Sequence, residues 1–348
     1  MKIISVIGTR PQYIKHASLA MEVLKHLHVN LITIDTGQHY DTNMSKIFVE
    51  KFGIKDIKYN LGIGSGTHGE QTGKMLIEIE KILFIEKPNF VIVYGDTNST
   101  LSGALAAVKL KIPVIHIEAG MRNHNIDVPE EVNRTLVDRM SSLRFAPSSE
   151  AIKNLSKEGL NTNTFLVGDV TTDLIKEIGN ESVKPGEEKF YFATIHRPFN
   201  TDSKNRILQI LNALNNLEYK VILAMHPRTK NVADNWNIVL DEFMNIQIIE
   251  PIDFFDSINH IIASEGVITD SGSLQKEAYI LKKKCTTILK YTPWQETLMG
   301  SWNFLLFDDL SNLNEVMNRE INFDQYIPNC YGDGKVAEKI MDCILHNA

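Results

Sequence analysis

Cysteine is scarce in this sequence of 348 residues: Cys285, Cys330 and Cys343 are the only three, odd in number, all late in the chain and in no Cys-x-x-Cys spacing. That excludes a disulfide framework and a thiolate zinc site, and reduced, packed cysteines are expected. No apolar stretch reaches the roughly 18 residues that a membrane span needs. The opening run Met1-Lys2-Ile3-Ile4-Ser5-Val6-Ile7-Gly8 carries one positive charge and no small-residue cleavage pattern. The expectation is a soluble cytoplasmic protein with neither export signal nor anchor. Runs of like charge are missing too. With Lys+Arg 36 against Asp+Glu 43 the net charge is −7, which makes duplex nucleic acid and anionic membranes poor partners. A phosphate-bearing small molecule stays within reach, because one arginine and a helix end can hold it. There is no Walker phosphate loop, no H-E-x-x-H and no Cys/His cluster of zinc spacing, so neither a metal nor a cofactor is expected.

What is present is ordinary globular material. Hydrophobic residues make up 43% and charged ones 23%, enough for two cores, and the length favours two domains over one. Short apolar runs alternate with longer amphipathic segments. In the first half the strand expectations are 2–8, 29–35, 90–94, 114–118, 143–146 and 164–167, with helices over 17–28, 72–86 and 101–111. Continuous runs such as Val91-Ile92-Val93 read as strands buried on both faces, and the alternation calls for a parallel, doubly wound sheet. The pattern restarts with strands at 190–194, 220–225, 246–249, 266–269 and 285–289 and helices at 204–217, 274–281 and 312–319. The change-over is expected within 168–186, where Gly168-Asp169 and Lys184-Pro185-Gly186 break the apolar pattern. The fold class is therefore α/β, two doubly wound parallel sheets facing each other, with ligand expected in the cleft between domains at the carboxyl ends of strands.

Polar clusters follow those strand ends: Gly8-Thr9-Arg10-Pro11-Gln12, Thr36-Gly37-Gln38-His39 and Gly95-Asp96-Thr97 in the first half, and Thr194-Ile195-His196-Arg197, His226-Pro227-Arg228 and Thr269-Asp270-Ser271-Gly272-Ser273 in the second. Gly64-Ser65-Gly66-Thr67-His68-Gly69 spells G-x-G-x-x-G without opening a helix directly after a strand. A mobile glycine-rich loop, a candidate lid, is the better reading than a dinucleotide site. The turn at Asp270-Ser271-Gly272, between a strand and a helix, suits a diphosphate, and an ordinary Asp/Ser cap is the competing reading. Asp96 and Glu118 end adjacent strand expectations, and Glu130-Glu131 opens a helical segment holding Asn133, Arg134 and Asp138. Carboxylates gathered in one cleft favour acid/base work. His196 with Arg197 adds an acid/base group and an anion ligand. His39, His116, His124 and His226 are expected to be structural.

Together Gly8-Thr9-Arg10-Pro11-Gln12-x-x-Lys15, Gly95-Asp96-Thr97, Glu118-Ala119-Gly120-Met121-Arg122, Pro129-Glu130-Glu131-x-Asn133-Arg134, His196-Arg197, Asp270-Ser271-Gly272-x-x-Gln275-x-Glu277-Ala278 and Tyr331-Gly332-Asp333-Gly334 resemble the non-hydrolysing UDP-N-acetylglucosamine 2-epimerases over nearly the whole chain. Gln12 in place of the usual Glu, the loop 61–69, Trp294-Gln295-Glu296 and Gly300-Ser301-Trp302-Asn303 are similar to the branch acting on UDP-2,3-diacetamido-2,3-dideoxyglucuronic acid. Pro198-Phe199-Asn200, Ser273 and Thr292-Pro293-Trp294 depart from both groups and bear on the identity of the sugar.

The resemblance implies two Rossmann-like domains facing a cleft in a GT-B-like arrangement, residues 1–168 completed by a C-terminal helix within 335–348, and residues 169–334. It implies a UDP-sugar substrate, no cofactor and a homodimer. Carried over residue by residue, it makes Asp96, Glu118 and Glu130 the acid/base carboxylates, with His196 assisting. Arg10, Ser271 and Gly272 become diphosphate ligands and Glu277 the ribose ligand. Lys15, Arg122, Asn133, Arg134, Arg197 and Gln275 become sugar or supporting contacts. Gln38 and His39 match positions near a regulatory site in some relatives, with a plain loop as the competing reading. A hydrolysing 2-epimerase, a GT-B glycosyltransferase and a non-catalytic UDP-sugar sensor are the alternatives that the residues leave open.

Overall fold

The computed structural model describes residues 1–38, 57–180 and 188–347. The chain forms two compact units, one of Met1–Leu174 with Asn329–Ala348 and one of Ile175–Pro328. Each is built on its own parallel sheet.

In the first unit seven strands, β1 (Lys2–Ile7), β2 (Asn30–Asp35), β3 (Ile57–Asn60), β4 (Phe90–Tyr94), β5 (Val114–Ile117), β6 (Leu143–Ala146) and β7 (Thr164–Leu166), lie in the order β3-β2-β1-β4-β5-β6-β7. β1 pairs in parallel with β2 on one side and β4 on the other. All five residues of β4 are buried, as a strand covered on both faces requires. The order reverses between β1 and β4, the place where a doubly wound sheet opens a crevice at its carboxyl ends. Ile4, Val6, Ile34, Met75, Ile79, Val91 and Val93 meet in the core on one face. The loops after β1, β4 and β5 are thus fixed to a rigid base.

The second unit repeats this plan with β8 (Phe190–Thr194), β9 (Lys220–Ala224), β10 (Ile246–Ile249), β11 (Gly266–Thr269), β12 (Cys285–Thr287) and β13 (Asn303–Leu305), ordered β10-β9-β8-β11-β12-β13. Its reversal lies between β8 and β11, which pair in parallel. Leu211, Leu214, Val221, Leu223, Ile268 and Met317 are part of its core.

Several expectations are corrected. The first helix runs over Arg10–Val23 rather than 17–28: Thr9 and Gln12 form a capping box and Pro11 sits in the first turn. The second runs over His68–Glu86, capped by Thr67, whose hydroxyl accepts from Glu70 N, so Gly69 lies in a helix and not in a loop. Strands β3 and β13 stand beyond the expected set, as do helices at Ser149–Lys157, Thr171–Asn180, Pro227–Asn235 and Phe254–Ala263. Residues 169–174 and 329–334 belong with the first unit, not the second. Tyr331 O accepts from Asp169 N at 2.8 Å and from Thr172 Oγ1 at 2.7 Å. The Asp173 carboxylate accepts from Val336 N and Ala337 N at 2.9 and 2.8 Å, capping the last helix, Val336–His346. Of the expected change-over, 181–186 lie outside the described residues, as does His39. Cys285 is buried and Cys330 and Cys343 are half-buried, and none of the three is in a disulfide among the described residues. No helix among the described residues is long and apolar enough to cross a membrane.

Candidate active site

On the first unit, Tyr94 and Ile117 are register partners at the ends of β4 and β5, so Asp96 and Glu118 leave the sheet from neighbouring strand ends. Each meets a cation. Arg134 of the helix Pro129–Met140 pairs with Asp96, and Lys15 of the helix Arg10–Val23 pairs with Glu118. Asn133 Nδ2 donates to Asp96 O at 2.9 Å. Arg134 also reaches Glu131 at 3.0 Å, whose two oxygens accept from Asn123 N and His124 N at 3.0 Å each. Glu131 therefore shapes the loop ahead of its own helix. Glu130, one residue earlier, is exposed in that helix's first turn.

Glu118 is in the left-handed region at φ +73°, where side-chain-bearing residues are uncommon. Its N–H and that of Ala119 both donate to Phe145 O at 3.0 Å. Gln12, only 2% exposed, ties the loop after β1 to that after β4. Its Oε1 accepts from Thr9 N at 3.2 Å, which orients the amide so that Nε2 donates to Tyr94 O at 2.9 Å and to the hydroxyls of Thr97 and Thr100 at 3.0 and 2.9 Å. Arg10 is half-buried at the first position of the helix. Gln38 Oε1 accepts from Ser99 N and Oγ at 3.0 and 2.7 Å, which anchors the loop after β2.

Arg122 is turned inward. Its guanidinium makes a two-pronged pair with Glu158 at 2.7 and 2.9 Å and meets Asp138 at 2.7 Å. His116 Nδ1 lies 2.7 Å from Asp138, and its Nε2 lies 2.7 Å from Gly95 O. The structural reading of His116 agrees with this burial.

On the second unit the organiser is Asp270, fully buried after β11. Its carboxylate accepts from His196 N at 3.0 Å, Arg197 N at 2.9 Å and Asn200 Nδ2 at 3.1 Å, fixing the loop after β8. His196 Nδ1 sits 3.3 Å from Asp270 Oδ1. Burial holds the His196 pKa below its ordinary value; the nearby Asp270 charge raises it, while Arg197 and His226 lower it further. The imidazole is then neutral near pH 7, with one ring nitrogen a donor and the other an acceptor. Its ring lies 5.7 Å from that of His226.

Ser271 N donates to Thr269 Oγ1 at 2.9 Å, and Ser271 O accepts from Gln275 Nε2 at 3.2 Å. Gln275, fully buried, accepts from Thr292 Oγ1 at 2.6 Å and Asn303 Nδ2 at 3.0 Å, so its amide is engaged with the chain's own groups. Glu277 is buried on the helix Leu274–Ile280. A Cβ built on Gly272 would lie 3.7 Å from Arg197 Nη2, which puts the exposed Arg197 side chain beside that turn.

The structure thus gathers Lys15, Asp96, Glu118, Asn133 and Arg134 on one unit and His196, Arg197, Ser271 and Gly272 on the other. Sequence reasoning passed over Asp138, Glu131 and Asp270 as organisers. Asp270 stood inside the quoted motif; Asp138 had only its place one turn after Arg134 to mark it. Chemically, the first set offers carboxylates held by cations, suited to proton transfer. The second offers a neutral imidazole beside an arginine and a small-residue turn, suited to a departing anion.

A sequence model of the family described as UDP-N-acetylglucosamine 2-epimerase matches residues 21–345. A UDP-2,3-diacetamido-2,3-dideoxy-D-glucuronate 2-epimerase of Pseudomonas aeruginosa is 42% identical, with 88% of both chains covered. A UDP-N-acetylglucosamine 2-epimerase homolog of Methanococcus maripaludis is 40% identical over the whole of both chains. Among solved structures, the UDP-GlcNAc 2-epimerase of Methanocaldococcus jannaschii in complex with UDP-GlcNAc and UDP superposes with a TM-score of 0.86 at 38% identity, covering 100% of both chains.

Proposed function

The chain belongs to the UDP-N-acetylglucosamine 2-epimerase family, whose members are isomerases, and from that premise we propose that it inverts carbon 2 of a UDP-2-acetamido sugar by eliminating UDP and adding it back. The carbon-2 proton is not next to a carbonyl, so a base alone does not remove it near pH 7. As the bond from the anomeric carbon to UDP lengthens, positive charge develops at that carbon and acidifies its neighbour. A carboxylate takes the proton, UDP leaves, and a 2-acetamidoglycal remains. Delivery of a proton to the opposite face of carbon 2, with return of UDP to carbon 1, completes the inversion. Atoms balance with no redox step.

The observation that carries this reading is the placement of Asp96 and Glu118 at neighbouring strand ends, each with its own cation. They are the proton-transfer groups, with Glu130 as a third carboxylate. Lys15 and Arg134 balance the charge of Glu118 and Asp96 and hold them oriented; Asn133 fixes the Asp96 backbone. Ser271 and Gly272, with Arg197 beside Gly272, hold the diphosphate, Arg10 is a further diphosphate ligand, and Glu277 takes the ribose hydroxyls. His196, neutral by burial, assists the leaving diphosphate or accepts a proton. The substrate is UDP-2,3-diacetamido-2,3-dideoxyglucuronic acid or UDP-N-acetylglucosamine, the two substances that the relatives' names carry. The protein works in the cytoplasm as a homodimer.

Incubation with each sugar nucleotide in deuterated water tests the reading. Exchange of the carbon-2 proton without net loss of nucleotide sugar is expected for the true substrate. Release of free UDP and free sugar is the outcome of a hydrolysing enzyme, and no exchange with any UDP-2-acetamido sugar overturns the epimerase reading.

A further inference from the structure

A chain of buried charge lies beneath the two carboxylate-bearing strand ends, and the proton transfers above make no use of it. His116 in β5 and Asp138 in the helix Pro129–Met140 are both fully buried, and Arg122 is 4% exposed. His116 Nε2 is 2.7 Å from Gly95 O; a carbonyl only accepts, so this nitrogen carries a proton. Nδ1 is 2.7 Å from Asp138 Oδ1. The other oxygen of Asp138 accepts from Gly120 N at 3.1 Å and from Arg122 Nη2 at 2.7 Å. Burial raises the Asp138 pKa, yet His116 and Arg122 outweigh it and hold the carboxyl below its ordinary value.

The two backbone groups gripped in this way are placed tellingly. Gly95 immediately precedes Asp96, and Gly120 follows Glu118 by two residues. All three of Gly95, Glu118 and Gly120 are in the left-handed region, at φ +62°, +73° and +84°. For a glycine that is easy; for Glu118 it is a strained conformation that persists only where the surroundings over-determine it. Stability alone is a poor reason for such a network, because a buried ion pair is often matched or bettered by apolar residues of similar size.

We propose that His116 and Asp138 form a positioning pair that sets the spacing of Asp96 and Glu118, gripping the backbone just before one carboxylate and just after the other, with Arg122 holding the charge of Asp138. The inference rests on the reading of Asp96 and Glu118 as the proton-transfer groups.

Steady-state kinetics of four variants, each with its UDP dissociation constant and melting temperature, test it. His116→Asn keeps a donor near Nδ1 but loses the bond to Gly95 O; His116→Gln keeps a donor near Nε2 but loses Asp138. His116→Asn and Asp138→Asn are expected to lower kcat by roughly 30- to 100-fold, with KM and UDP affinity within about threefold of the parent, because displaced groups cost rate rather than binding. His116→Gln, which keeps the Gly95 grip, is expected to recover part of that loss. Glu118→Gln serves as the control for the underlying reading. Full turnover in Glu118→Gln overturns the acid/base assignment itself. An inactive Glu118→Gln beside a fully active His116→Asn and Asp138→Asn overturns the positioning pair alone. A parallel fall of kcat, UDP affinity and melting temperature in both network variants also overturns it, since that is what a merely structural role produces.

Discussion

His16 is fully buried between β1, β2 and β4, with Nδ1 3.0 Å from Ser5 Oγ and Nε2 2.9 Å from Thr33 Oγ1. Its hydrogen-bond partners Ser5, Thr33 and Tyr94 are all hydroxyls, and burial pushes its pKa down to about 4. The folded value lies below the unfolded value of 6.5, so between those two values the unfolded chain binds the extra proton. Stability from this residue is whole above pH 6.5 and falls as the pH drops toward 4. The loss is on the order of 3 kcal/mol. Urea unfolding at a series of pH values is expected to show a shallower acid slope in His16→Gln than in the parent; equal slopes would contradict the assignment. At this scale the sequence was legible where chemistry stood in a motif and silent where it stood alone. Asp96, Glu118 and His196 sit just after strand ends, and that placement was readable. Asp138 and Glu131 make their contacts from within a helix, to groups between 7 and 22 residues earlier in the chain, and no local pattern marks such contacts.

Among elements, the apolar strands were readable, down to β7 and β12 with three residues each, while β3 and β13 were not. β1 and β4 are buried almost throughout and rich in Ile and Val, whereas β3 alternates half-buried with exposed residues at the sheet edge and β13 carries only Phe304 and Leu305 after Asn303. The helix Arg10–Val23 buries eleven of its residues, so no polar face marks its period, and its start is marked only by the Thr9–Gln12 capping box and Pro11, which the expectation of 17–28 passed over. Turn chemistry divides the glycines in a testable way. At Gly120 the chain itself demands glycine, with φ +84° and a Cβ position 2.4 Å from Ala151 O. Gly272 has no left-handed φ, and its Cβ would make an ordinary 3.7 Å contact with Arg197 Nη2. Nothing among the described residues requires glycine there, which fits the proposed place of Gly272 against the diphosphate. Gly272→Ala is expected to leave unfolding free energy within about 0.5 kcal/mol of the parent, as at sites without a fold constraint. Its UDP dissociation constant should rise about tenfold or more, a loss of roughly 1.4 kcal/mol. Unchanged UDP affinity, read by calorimetry, would remove Gly272 from the diphosphate site.

For the whole molecule the telling fact is that the first unit is discontinuous in sequence and the second is not. The last helix, Val336–His346, packs on the helix Arg10–Val23 and buries Val336, Ile340, Met341 and Ile344 completely, with Ala337 at 4%. At about 1.5–3 kcal/mol for each large side chain removed from water, these contacts amount to roughly 6–12 kcal/mol as an upper figure. That matches the whole folding free energy of a typical domain, about 5–15 kcal/mol. The same segment supplies Tyr331 O to Asp169 and Thr172 and completes the cap on Asp173. A chain ending at Pro328 therefore loses apolar burial and backbone partners together, from the unit that carries Asp96, Glu118 and Glu130. Hydrogen exchange read by mass spectrometry on the truncated chain is expected to show peptides of 1–174 exchanging near unfolded rates. Peptides from 188–328, whose sheet and core are built within their own stretch of chain, should stay protected. Protection retained across β1, β4 and β5 after truncation would show that the first sheet stands without its returning helix, and the burial argument would then fail.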